Sequence, residues 1–323
     1  MAKEAVMNSK VETAASREEG LRFDFVKAAP LVGVVSLLLV IASLLVLAVK
    51  GLNYGIDFAG GTEIQLRFAQ EVDPQQVRDA LEEIGLKNAT VQAFGNQSEY
   101  LIRLDTPAGE TEKETNELIT ANVNKIKDTF KSKFGLTDDG VLRVDTVGPA
   151  VGSELRTQGF LATFYSLLIM LIYVGMRFDY KYAPGAVLSL VHDVILTLGV
   201  FSLLGREFNI QIMAAILTLI GYSLNDTIVT FDRIRETLPQ YKGSKPLAWI
   251  INKAINDMLS RTILTGFTTL VAVLALYFLA GGVIADIAFT LIVGVIVGTW
   301  SSIYVAAPMV LLFEKYKQWK GAH

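Results

Sequence analysis

Cysteine is absent from all 323 residues, which excludes disulfides, thiolate metal sites and cysteine nucleophiles together. There are two histidines, one of them the last residue, His323, too few for a histidine-rich metal site. Charge is sparse too. Asp, Glu, Lys and Arg make up 19% of the chain, where a soluble protein carries about a quarter. The net charge of −3 offers no bulk attraction to nucleic acid. No Walker A loop, H-E-x-x-H pair or G-x-S-x-G elbow occurs, so nothing points to P-loop, zincin or α/β-hydrolase chemistry. Ser189 and Ser223 could be matched to His192 as nucleophiles by composition alone. The expectation is a chain that is not an enzyme, needs no cofactor or metal and binds no nucleic acid.

What the chain has instead is apolar length. Hydrophobic residues make up 52% and gather into runs long enough to cross a bilayer, which takes about 20 helical residues. The first, Ala28–Val49, follows a polar stretch of mixed charge over residues 1–27, read as a mobile cytoplasmic tail. This run is too long for a signal-peptide core, and no cleavage pattern follows it, so it reads as a retained span. Five more follow: Phe160–Met176, Pro184–Leu204, Ile210–Phe231, Thr262–Ala280 and Ile284–Phe313.

Between the first and second runs, over residues 50–158, the pattern belongs to a soluble domain. Thr62–Phe68 alternates like a strand. Pro74–Ile84 reads as a helix, with Val77, Leu81 and Ile84 on one face and Gly85 ending it. Ala89–Phe94 and Tyr100–Leu104 read as strands joined through a Gly95-Asn96-Gln97-Ser98 turn. Glu110–Phe134 is a helix with a stripe of Leu118, Val123, Ile126 and Phe130, stopped by Gly135. Val141–Val147 is a last strand. The order is β-α-β-β-α-β, a ferredoxin-like arrangement, and about 100 residues suffice for a core. The fold class expected is therefore a polytopic α-helical membrane protein of six spans with one extracytoplasmic α+β domain.

Basic residues fix the orientation expected. Lys and Arg crowd the Arg177–Tyr182 loop, the 232–261 loop and the 314–323 tail, while the loops at Gly205–Asn209 and Gly281–Val283 hold only Arg206. By the positive-inside rule both termini are cytoplasmic and the soluble domain lies outside.

Ionisable groups inside spans are costly and mark function. His192 and Asp193 sit roughly 12–14 Å from the cytoplasmic end of the third span, at about 1.5 Å per residue. Asn225 and Asp226 lie in the fourth span, Asp226 roughly 9 Å inside the cytoplasmic boundary. Arg261 opens the fifth. An arginine opposite a carboxylate favours its charged form, and burial disfavours it. Separating an Asp226–Arg261 pair would let the aspartate take up a proton. The same pair could instead simply lock two helices. His192 could join helices by a hydrogen bond, and Asp193 could be its partner or a second carrier. Gly294 and Gly298 form a G-x-x-x-G that permits close helix packing. After the first span, Gly60 and Gly61 allow backbone angles closed to other residues, which reads as a tight junction or hinge.

Two segments carry a resemblance. Gly55-Ile56-Asp57-Phe58-Ala59-Gly60-Gly61 resembles the G-[IL]-D-F-x-G-G signature of the SecF family of protein-export membrane proteins. Gly221-Tyr222-Ser223-Leu224-Asn225-Asp226-Thr227, running on to Phe231-Asp232-Arg233, is similar to its fourth-span signature. Val191-His192-Asp193-Val194 and Arg261-Thr262 also fall where the family has similar residues. The resemblance implies the resistance-nodulation-division superfamily, multi-pass location in the bacterial inner membrane, and assembly with SecD and often YajC. It further implies association with the SecYEG channel and SecA, and work on unfolded secretory polypeptide late in export, driven by a proton or sodium gradient. Asp226 and Arg261 take the ion-path positions, with Asn225, Asp193 and His192 beside them. Asp57, Phe58, Gly60 and Gly61 take the hinge signature. An exporter of small molecules or lipids from the same superfamily, or a purely structural scaffold, are the alternatives.

Overall fold

The computed structural model describes residues 22–93, 98–107, 112–178 and 182–321. Most of the expected Gly95–Ser98 turn, the Glu110 helix start, Lys181, His323 and the tail over 1–21 lie outside the described residues. Among the described residues, six helices are long and apolar enough to cross a membrane. The first, α1, runs Phe25–Lys50. Residues 22–24 ahead of it are held, because Asn252 and Asn256 bond the backbone of Arg22, Phe23 and Phe25. The tail read over 1–27 therefore ends short of 22. Asp24 caps α1 by accepting from the Lys27 amide at 3.0 Å, which satisfies one of the orphan donors of a helix start.

Past α1 come β1 (Asn53–Tyr54), the one-turn α2 (Ile56–Ala59) and β2 (Gly61–Arg67). Then follow α3 (Pro74–Glu83), β3 (Thr90–Ala93), β4 (Glu99–Leu104), α4 (Glu112–Phe134) and β5 (Val141–Val147). From β2 to β5 the order is β-α-β-β-α-β. The sheet runs β3-β4-β2-β5 with every neighbouring pair antiparallel. Alternation sends Ile64, Leu66, Ile102 and Leu104 to one face, where Val77 and Leu81 of α3 and Val123, Ile126 and Phe130 of α4 cover them. One side chain of the expected stripe is different. Leu118 is exposed, and Ile119 is buried in its place. Spacing explains it, since 119, 123, 126 and 130 keep the 4-3-4 step of one helix face and 118 falls off it.

The second spanning helix, α5 (Pro149–Arg177), starts one residue after β5, so the last turn of the soluble domain and the span are one rod. The rest are α6 (Ala183–Leu204), β6 (Glu207–Phe208), α7 (Ile210–Tyr241), α8 (Leu247–Leu279) and α9 (Gly282–Ser301). A π turn over Ser302–Ala306 continues α9 into α10 (Ala307–Gly321). The loop read over 232–261 is corrected: α7 and α8 extend through it and leave a turn over 242–246. The polar residues there are helical surface beyond the apolar run, invisible to a hydropathy boundary. About half of the apolar window of α6 (56%) and α7 (50%) is buried, against 6% for α1 and 11% for α5. Those two central helices carry His192, Asp193 and Asp226.

Candidate functional site

On α7 the buried face reads Ile212, Ile216, Leu219, Ser223, Asp226, Thr230 and Ile234, a helical repeat with one carboxylate in an otherwise apolar and hydroxyl series. Asp226 is 5% exposed. Among the described residues its Oδ2 has no hydrogen-bond partner, and neither has the hydroxyl of Thr227 beside it. Arg261 lies within electrostatic reach of Asp226, yet no ion pair joins them among the described residues. Nor does Arg261 open its helix: it stands near the middle of the 33-residue α8, with its side chain exposed. Asn225 points the other way, out of the bundle. A buried carboxylate that no donor holds is a costly group.

Asp193 on α6 has the opposite surroundings. Its Oδ2 accepts from the hydroxyls of Ser223 at 2.5 Å and Ser301 at 2.9 Å. Its Oδ1 lies 2.9 Å from His192 Nδ1, whose N–H tautomer donates to it. Helices α6, α7 and α9 are thereby tied at one carboxylate that is 1% exposed. The glycine pair of α9 makes this approach possible. A Cβ at Gly298 would stand 3.2 Å from Ser223 Cβ and Oγ, and one at Gly294 would stand 2.3 Å from Leu219 Cδ1. Small residues four apart thus let α9 press on Leu219 and Ser223, also four apart. Ser223 gives its proton to Asp193 rather than to His192, and Ser189 bonds the Ala186 carbonyl at 2.8 Å.

Within the glycine signature Gly55, Ile56, Phe58 and Gly61 are buried. Phe58 is 2% exposed and stacks on Phe208 at 5.5 Å. Asp57 Oδ2 accepts from the Ile210 amide at 3.1 Å, a carboxylate at the start of α7 where the helix dipole favours it. Gly60 and Gly61 have φ of 79° and 129°, angles that L side chains rarely adopt. A Cβ at Gly60 would stand 2.9 Å from Pro149 Cα, and one at Gly61 would stand 2.6 Å from the Leu104 carbonyl oxygen. The junction joins α1, the sheet and the starts of α5 and α7.

Some members were not visible beforehand. Ser301 has no sequence signal, because a serine in a long apolar run is ordinary. Asp286, inside α9, pairs with Arg206 at 2.5 Å; an acid in the sixth apolar run and the one basic residue of the Gly205–Asn209 loop were a usable signal.

Residues 125–316 match the model of the C-terminal region of the protein-export membrane proteins SecD and SecF. Residues 45–72 match the SecD/SecF GG motif. Among similar proteins, the protein translocase subunit SecF of Desulfurispirillum indicum is 47% identical over 87% of this chain and 88% of its own. That of Vibrio alginolyticus is 43% identical over 86% of this chain and 85% of its own. Among solved structures, SecDF of Thermus thermophilus, a translocon-associated membrane protein, superposes with a TM-score of 0.80 at 40% identity. That match covers 91% of this chain and 39% of the longer SecDF chain.

Proposed function

The chain belongs to the SecF family of protein translocase subunits, and on that premise we propose that it pairs with SecD to couple an ion gradient to late steps of protein export. The observation that carries the coupling is the buried carboxyl of Asp226 in the fourth span, whose Oδ2 has no hydrogen-bond partner among the described residues. Such a group is free to change its proton or ion occupancy without dismantling a network. One charge crossing 100 mV releases about 2.3 kcal/mol, so several ions per cycle would drive a domain movement.

The partner is inferred from the other side of the same helix. Ala214, Thr218, Gly221 and Asn225 are exposed on α7 at the 4-3-4 step of one face. Small residues permit a helix to approach, and an asparagine turned to lipid is costly. We assign this face to SecD, while on the buried side Arg261 of this chain is the charge that reaches Asp226. SecYEG, SecA, YajC, membrane lipid and the unfolded secretory polypeptide are the further partners of this reading. The coupling ion is a proton or sodium, and no other cofactor is assigned. The basic residues opposite the soluble domain support an inner-membrane orientation with both termini cytoplasmic. The reading is of a transport subunit rather than an enzyme, in keeping with Ser223 serving Asp193.

Gradient-driven completion of secretion in inverted vesicles, with Asp226 intact or replaced by Asn, tests this. Loss of the gradient-dependent part with the SecD complex still assembled is expected. Normal secretion by an assembled complex would defeat the coupling claim and leave the scaffold reading.

A further inference from the structure

Where the soluble domain rests on the bundle, one guanidinium serves two carboxylates. Arg103 of β4 places Nη2 3.3 Å from Glu63 Oε2 on β2, and the same nitrogen contacts Glu207 Oε2 of β6, between α6 and α7. The three side chains are 16%, 20% and 11% exposed. Glu207 reaches this place because Gly55 has no side chain: a Cβ there would stand 2.3 Å from Glu207 Oε1. The first glycine of the signature thus makes room for the contact between domain and bundle.

The other charged groups facing this site already have donors. On β5, Asp145 pairs with Arg143. On α9, Asp286 pairs with Arg206, whose guanidinium lies 3.9 Å over the Phe289 ring. On α2, Asp57 accepts from the Ile210 amide. Glu63 and Glu207 alone among these acids share one cation.

We propose that Glu63, Arg103 and Glu207 form a proton-binding clasp that docks the soluble domain on the membrane bundle. With both carboxylates ionised the three groups sum to −1 in a half-buried place. One proton from solvent, bound to a carboxylate oxygen, leaves a single carboxylate paired with Arg103 and a neutral carboxyl able to donate a hydrogen bond. The surroundings act in that direction. Burial pushes Glu63 up from the ordinary glutamate range, reinforced by the charge of Glu207 and opposed by Arg103. Burial pushes Glu207 up as well, opposed by Arg103 and helped by Asp286 and Asp57. Because the shift is upward in the docked state, the proton's contribution to docking is full below the ordinary range. It is lost as pH rises through the raised range. Acid on the soluble-domain side tightens the clasp.

The chain has no cysteine, so spin labels can be placed at Gln92→Cys and Val283→Cys, on opposite walls of the polar cavity around the clasp. The full chain in nanodiscs is then measured across pH. The docked, short-distance population is expected to fall as pH rises, by up to about tenfold in the docking ratio per pH unit for one linked proton. Glu63→Gln and Glu207→Gln, measured separately so that one can fail to fold, are each expected to flatten the response while keeping the domain docked. Asp138→Asn, at an exposed acid elsewhere on the soluble domain, is expected to leave it intact, which shows that the response belongs to the clasp. A docked population independent of pH, a response of opposite sign, or one unmoved by either Gln variant would overturn the proposal.

Discussion

Asp193 on the third span and Asp226 on the fourth are both buried, and the link between them is Ser223, one turn before Asp226 and hydrogen-bonded to Asp193. Asp193 has two hydroxyls and an imidazole on its oxygens. Asp226 has no hydrogen-bond partner on Oδ2 and only the distant influence of Arg261. A carboxylate with that many donors fixes helices in place, since moving any one of them strands a buried polar group. A carboxylate with none fixes nothing, and its burial has to be explained by what it does. The two residues would be indistinguishable in a count of intramembrane acids. Their partners separate them.

The sharpest way to break the contrast is Asp193→Ala beside Asp226→Ala. The first removes the shared acceptor of Ser223, Ser301 and His192 and is expected to cost about 3–5 kcal/mol, seen as a large loss of Tm in detergent. The second removes an unpartnered group and is expected to change Tm little. Equal losses would collapse the distinction. Ser301→Ala removes one hydrogen bond to a buried acceptor and is expected to cost about 1–3 kcal/mol, by the same thermal measurement. Gly298→Val pushes α9 off Ser223 and is expected to cost about 1–3 kcal/mol. Its coupling to Ser223→Ala in a double-mutant cycle shows whether the glycine acts through the Asp193 network. Least of all, Asn252→Ala unties the Phe25 amide for about 1 kcal/mol and should leave both aspartates unaffected, which checks that the larger effects are local.

Spans and soluble-domain elements were legible because each rests on a local period: 20 apolar residues, alternation, or a 3-4 repeat. Val141–Val147 was readable to the residue. Leu118 misled because a stripe chosen by hydrophobicity alone skipped the 4-3-4 step that buries Ile119. Helix ends at the 242–246 turn were hidden because α7 and α8 leave the apolar region while still helical. At the site, Asp226, Asp193 and His192 stood out as charges in apolar runs. Which of them is partnered did not, since Ser223 and Ser301 reach Asp193 from 30 and 108 residues away. The Glu63–Arg103–Glu207 contact is of the same kind: three ordinary surface-type residues made unusual only by the fold that gathers them.

Proton uptake by liposomes holding this chain with its SecD partner, driven by an imposed gradient, tests the claim about Asp226 most directly. Asp226→Asn is predicted to abolish the uptake while the complex keeps its composition and Tm. Uptake at the unaltered rate in that variant would contradict the account.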